Sequence, residues 1–269
     1  MYKKSSPTKF YIIAALLLLI ITSCTKVIDL KLGNNTGQLV IEGNITNVRG
    51  PQYITLSQNV PFSNTNTYPP VSGATVTVTD GKGKIHQLNE GPAGTYSVDN
   101  FAGFAGETYT LNVLTGGKSY IASSVMPALV LLDSVTSESS LFNNSKNEQQ
   151  ITVYYKDPTA VANQYRFIMY VNGVQVNDVF AYNDEFDNGK DVSIDLIEND
   201  IDVYPGDTVK VEMQCIDKPI YTYWLTLMQQ QNDGPGGGVT PSNPPTNITP
   251  ATLGYFSAHT TQSLSFLVK

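Results

Sequence analysis

The sequence predicts a mainly β protein, built as two antiparallel β-sandwich units with one short α-helix in the second. Three observations predict it. Short runs of alternating apolar and polar residues recur at intervals of roughly ten residues. Gly-, Pro- and Asn-rich turns separate them. Only one stretch beyond the N-terminal leader changes to the spacing of a helix.

In order along the chain, "QLVIEGNIT" alternates and reads as a strand with one buried face. "QYITLSQNV" repeats the pattern after the turn "RGPQ". "PFSNTNTYPPVSG" is a polar, Pro-rich loop. "ATVTVTD" is the clearest strand, with Ala74, Val76 and Val78 on one face and Thr75, Thr77 and Thr79 on the other. "DGKGK" turns it back into "IHQLNE"; "GTYSV", "ETYTLNVLT" and "KSYIASSVMP" follow. Gly73 permits a sharp turn. Tyr96 and Tyr109 supply large buried surface with hydroxyls that reach the rim. Met126-Pro127 closes a first unit over 38–127, and "VSGATVTVTD…GTYSV…GETYTLNV" resembles transthyretin-like or carboxypeptidase-regulatory-like sandwich modules, of the immunoglobulin-like kind.

A second unit is expected over 128–269, with strands in "LLDSVT", "QQITVYYKD", "QYRFIMYVNGVQV", "DVSIDLI" and "DTVKVEMQCID". Asn172-Gly173 is a strong hairpin signal, because both central turn positions need positive φ. In "KPIYTYWLTLMQQQN", Tyr221, Trp224, Leu225 and Met228 fall at i, i+3, i+4 and i+7, with Pro219 at the start and Gly234 as the stop. This predicts a helix over 219–232 with Trp224 facing the core and Tyr223 pointing away from it. A Gly/Pro-rich loop occupies 233–250, and "GYFSAHTTQSLSFLV" returns to the sheet.

Residues 1–23 read as a leader. Lys3, Lys4 and Lys9 precede an apolar run from Phe10 to Ile21, and a small residue, Ser23, stands before Cys24. The run is too short for a spanning helix, which needs ~20 apolar residues. "ITSC" resembles the lipobox of bacterial lipoproteins. That resemblance implies cleavage between Ser23 and Cys24, a diacylglycerol on the Cys24 sulfur, an acyl chain on the new amine, and a tether over 24–37. Several acyl chains anchor firmly where one binds reversibly, since each buried CH2 contributes ~0.8 kcal/mol.

The chain of 269 residues has 16 basic and 23 acidic residues, a net charge of −7. Loss of the leader removes three lysines and makes the remainder more acidic. Such a surface argues against nucleic acid as a partner. If Cys24 carries lipid, Cys215 has no cysteine to pair with, and its strand-like context reads as small apolar packing.

Few residues suggest chemistry. "NDEFDNGKD" gathers Asp184, Glu185, Asp187 and Asp191 near Gly189, but Phe186 stands where a calcium loop needs a ligand, and the stretch reads as a solvated turn. Asp184 and Asp187 are not placed as the carboxylate pair of a glycosidase. His86 and His259, the only histidines, read as strand or rim residues. No nucleophile elbow, paired-cysteine motif or phosphate loop is present. No catalytic set, metal or cofactor is expected. The candidate binding residues are Tyr68, in a loop where a ring can stack on a sugar or a partner, and Tyr223 on the helix. Asp133-Ser134-Val135 and Asp207-Thr208-Val209 resemble a short bacterial O-glycosylation signal.

"VIEGNIT", "VSGATVTVTD", "LLDSVT", "YNDEFDNGKD", "YPGDTVKVEM", "YTYWLTL", "SNPPTNI" and "LGYFSA" occur in this order and resemble the Bacteroidota lipoproteins catalogued as domain of unknown function 4249. The resemblance implies an outer-membrane lipoprotein encountered beside TonB-dependent receptors, with no established activity. Two roles are therefore expected. One is a non-catalytic accessory of such a receptor in nutrient uptake, held to outer-membrane lipid through Cys24 on the periplasmic or cell-surface face. The alternative is a stand-alone carbohydrate- or peptide-binding lipoprotein.

Overall fold

The computed structural model describes residues 36–61, 67–139, 147–159, 161–198, 200–231 and 242–269. The leader, Ser23, Cys24, nearly all of the tether, residue 232 at the end of the predicted helix and residues 233–241 of the Gly/Pro-rich loop lie outside them. No helix among the described residues is long and apolar enough to cross a membrane.

Alternation becomes strand wherever one face is covered. β1 (Leu39–Thr46) and β2 (Gly50–Gln58) form a hairpin that turns Ile41, Ile45, Ile54 and Leu56 inward. β3 (Thr75–Thr79), β4 (Ile85–Glu90), β5 (Thr95–Phe101), β6 (Thr108–Thr115) and β7 (Lys118–Val125) complete the first sandwich. The buried Val76 and Val78 of β3 confirm the face read from "ATVTVTD". Tyr96 and Tyr109 are buried, and each hydroxyl both accepts and donates at the rim. Tyr96 accepts from the Ala74 N–H at 2.9 Å and donates to the Val71 carbonyl at 3.1 Å. Tyr109 accepts from the Phe104 N–H at 2.8 Å and donates to Glu107 at 2.9 Å.

The second core is enclosed by two groups of strands. β8 (Leu132–Ser139), β9 (Gln149–Lys156) and β13 (Asp191–Leu196) form a separate sheet in the order β13-β9-β8. β10 (Gln164–Val171), β11 (Val174–Gln175), β12 (Phe180–Asn183) and β14 (Thr208–Cys215) belong to the larger sheet. Asn172 and Gly173 take φ of 50° and 83°, as the hairpin between β10 and β11 requires. Cys215 is buried in this core and its Sγ accepts the Val130 N–H at 3.3 Å.

The two cores are not independent in sequence. The 15-residue β16 (Leu253–Leu267) runs parallel to β1 through its first half, Leu253 to His259. Its second half, Thr260 to Leu267, runs antiparallel to β14. Phe256 and Ala258 fill the first core, while Leu264, Phe266 and Val268 close the second. β15 (Ile248–Thr249) also pairs with β7 of the first sandwich. The span 128–269 therefore does not fold as one unit, since its residues from Ile248 to Ala258 return to the first. The larger sheet runs β11-β10-β14-β16-β1-β2-β5-β4-β3-β6-β7-β15, with β12 paired to β10, and β16 links the strands of the second core to β1 of the first.

The helix α1 (Lys218–Gln231) packs on the outer side of this sheet, against β10, β12 and β16, and starts one residue before its predicted position. Asp217 caps it, accepting the Ile220 N–H at 3.2 Å, and also accepts Ser124 Oγ at 2.8 Å and the Val125 N–H at 3.0 Å from β7. One carboxylate thus starts the helix and fixes its origin against the first sandwich.

Candidate functional site

Odd-numbered residues of β16 and even-numbered residues of β1 face outward beneath α1. Tyr255 stands at the centre, with ring centroids 5.0 Å from Tyr223 and 5.1 Å from Trp224; those two rings are themselves 5.2 Å apart. The helix therefore turns both aromatics toward the sheet, and both are half-buried. Tyr223 does not point away as expected. The sheet beneath the helix extends over two units, so the covered face is wider than the single stripe Trp224 belongs to.

Arg166, on the outer face of β10, lies 3.4 Å below the Trp224 ring and donates to Gln214 Oε1 at 3.3 Å. Its guanidinium is held mainly by aromatic faces, a favourable arrangement for a cation that the helix has desolvated. Glu212 joins the same layer, accepting from Gln214 Nε2 at 2.8 Å and Thr261 Oγ1 at 3.0 Å.

His259 is fully buried beside this layer, with Ser257 Oγ 3.0 Å from its Nδ1. It is a strand residue of β16, as expected, and what the sequence did not indicate is its complete burial on the face that α1 packs against. Burial first, and Arg166 second, hold its pKa down at about 3. An unfolded chain takes up the imidazole proton below about pH 6.5 while the folded chain refuses it until about pH 3. Stability carried by neutral His259 is thus whole above pH 6.5 and declines as pH falls toward 3. Urea titrations at pH 7 and pH 4.5 should show a loss in wild type that His259→Gln reduces by ~1–2 kcal/mol. An identical loss in both proteins would contradict this account of the site.

Tyr68 and Tyr223, far apart in sequence, line one cavity of about 300 Å³ together with Glu42, Leu227, Pro244 and Leu253. Its floor is β1 and β16, and its wall is α1. Tyr68 is 54% exposed. Glu42 is exposed by area, yet enough protein surrounds its carboxyl that desolvation raises its pKa above 4.5. Glu42 also lines an adjoining cavity of about 340 Å³ with Asn44, Tyr53 and Tyr255. On the other side, Asn243, Pro244 and Leu253 are shared with a cavity of about 600 Å³ that reaches Gln38 and Tyr120. The three make a groove along β1.

Sequence reasoning named the two tyrosines and missed Glu42, Tyr255 and Arg166. The alternation of "VIEGNIT" does place Glu42 on the polar face, but nothing local tells that a helix far along the chain will wall it in.

The remaining sequence candidates stand apart from the groove. Asp184 forms a turn whose carbonyl accepts the N–H groups of Asp187 and Asn188, both at 2.9 Å. Its carboxylate is buried rather than solvated, because it accepts the Asn163 N–H at 2.9 Å. His86 is half-buried on β4, 2.8 Å from Asp80. Ser134 and Thr208 are both exposed at strand positions. Among the described residues no group of three or more His, Cys, Asp or Glu is placed to hold a metal ion.

A family model described as "Domain of unknown function (DUF4249)" matches residues 25–265. None of the curated proteins matches the chain. Among solved structures, a two-domain fibronectin type III segment of chicken tenascin is 14% identical, covering 67% of this chain and 90% of that one, with a TM-score of 0.23. The adhesin InvE of Yersinia pseudotuberculosis is 19% identical, covering 66% and 57%, with a TM-score of 0.22.

Proposed function

The chain belongs to the family described as domain of unknown function 4249, and on that premise we propose that it is a lipid-anchored accessory protein of the outer membrane. In this reading Cys24 carries the lipid after cleavage behind Ser23. The β-body is non-catalytic and serves a TonB-dependent receptor in nutrient uptake by holding a ligand in the groove between α1 and the sheet. The observation that carries the ligand-holding part is the meeting of Tyr68 and Tyr223 in one cavity on the outer face. Concave, partly apolar clefts with a few polar groups are the usual form of a binding site. The basic, short and apolar leader ending in "ITSC" supports the anchor.

Affinity capture of the full chain from detergent-solubilised native outer membranes tests the role. A β-barrel receptor should be recovered with it, in amounts well above those with an unrelated lipoprotein. Recovery no greater than with the control would overturn the partnership and leave the alternative, a carbohydrate- or peptide-binding lipoprotein acting alone.

A further inference from the structure

We propose that the groove over β1 binds an extended peptide by a basic side chain, with Glu42 as the counter-ion and the rings of Tyr68 and Tyr223 as its flanks. The proposal rests on the reading of the groove as a ligand site and is independent of the receptor partnership.

Glu42 carries an uncompensated charge: among the described residues its side chain makes no hydrogen bond and no ion pair, and no Lys, Arg or His lines either cavity to which it contributes. Its surroundings already disfavour the carboxylate through desolvation. A carboxylate in such a place gains from a ligand cation more than a fully solvated one, because the same Coulomb attraction acts in a lower effective dielectric. An anionic ligand would add repulsion instead.

The walls of the cavity suit a cation. Tyr68 and Tyr223 present aromatic surface beside the carboxylate, and ammonium and guanidinium groups are attracted to such faces. Leu227, Pro244 and Leu253 supply apolar contact for the methylene stem of a lysine or arginine. Arg166 shows the same chemistry within the protein, one layer away, where Trp224 covers its guanidinium.

The shape of the groove suits an extended chain. A cavity of about 300 Å³ takes one side chain, but the adjoining cavities of about 340 and 600 Å³ share its lining residues. Together they follow β1, whose eight residues span about 26 Å. That is room for several residues of extended chain, with one basic side chain seated at Glu42. The net charge of −7 favours the approach of a basic peptide.

The test uses the detergent-solubilised full chain and two probes, acetyl-Gly-Ala-Lys-Ala-Gly-amide and its norleucine counterpart, titrated by calorimetry at pH 7. The lysine peptide should bind at least about tenfold more tightly than the norleucine peptide. Glu42→Gln should abolish that preference, and Tyr68→Ala should weaken the lysine peptide severalfold. The preference should also fade as pH drops through the raised pKa of Glu42, since protonation removes the counter-ion. Thermal unfolding of each variant at the wild-type temperature establishes that a lost signal is not lost structure; both substitutions lie at exposed positions. Equal affinity for the two peptides, a preference that survives Glu42→Gln, or no lysine-peptide binding at millimolar concentration would each overturn the proposal. A receptor recovered in the capture experiment despite any of these outcomes would leave the accessory role standing without this ligand class.

Discussion

Gly254→Ala should be the most damaging glycine-to-alanine change among the described residues. Gly254 takes φ of +93° at the start of β16, where it faces Ile41 across the parallel pairing with β1. A Cβ there would stand 2.0 Å from the Ile41 carbonyl oxygen and 2.8 Å from its carbon. Those are backbone atoms of the neighbouring strand, so no rotamer change can make room. The positive φ alone costs a residue with a Cβ ~1–2 kcal/mol, and the collision adds the loss of strand pairing. The total should exceed ~3 kcal/mol in urea unfolding. Gly73→Ala is the control. Its φ is +74°, but the added Cβ meets nothing within 4 Å, so only the conformational cost applies. Equal midpoints for the two variants would show that β1 and β16 do not approach as described.

Phe256→Ala should cost ~3–5 kcal/mol, as expected for a fully buried aromatic that leaves a cavity. Two features suggest that the site will relax little. Gly43 lies directly across, and a Cβ on it would come within 2.9 Å of the Phe256 ring. Asn247 clamps the Phe256 backbone from the other side, accepting its N–H at 3.0 Å and donating to its carbonyl at 2.7 Å. Phe256 belongs to the first core, yet its strand continues into the second. The loss should therefore appear in one transition for the whole body. Fluorescence of Trp224, the only tryptophan, and far-UV circular dichroism should shift to the same new midpoint. Two separated transitions would show that the shared strand does not couple the cores.

The parts of the fold legible in the sequence were those decided locally. "TVTVT" alternates because one face is buried, and the structure buries Val76 and Val78. Asn172-Gly173 makes its hairpin because few other pairs tolerate two positive φ values. Pro219 and the i, i+3, i+4, i+7 pattern locate the helix to within a residue. What stayed hidden depends on chain segments far apart. Nothing in "LGYFSAHTTQSLSFL" tells that one strand will serve two cores, because its alternation is the same on both sides of Thr260. The short β12 and β15 were missed because they are set by their partners, not by a pattern of their own. Tyr223 faces the sheet because the helix covers a second stripe through Ile220, Tyr223 and Leu227, beside the one read from the sequence. Glu42 and Arg166 look like ordinary polar-face residues until α1, from a distant part of the chain, covers Arg166 and walls one side of the cavity at Glu42.

The proposed outer-membrane role presupposes the modified cysteine, so the most direct measurement is the intact mass of the native protein taken from the membrane fraction. The account predicts a chain beginning at Cys24 whose mass exceeds that of the polypeptide by a diacylglycerol and an amide-linked acyl chain. A chain that retains residues 1–23, or one with an unmodified thiol at Cys24, would contradict it.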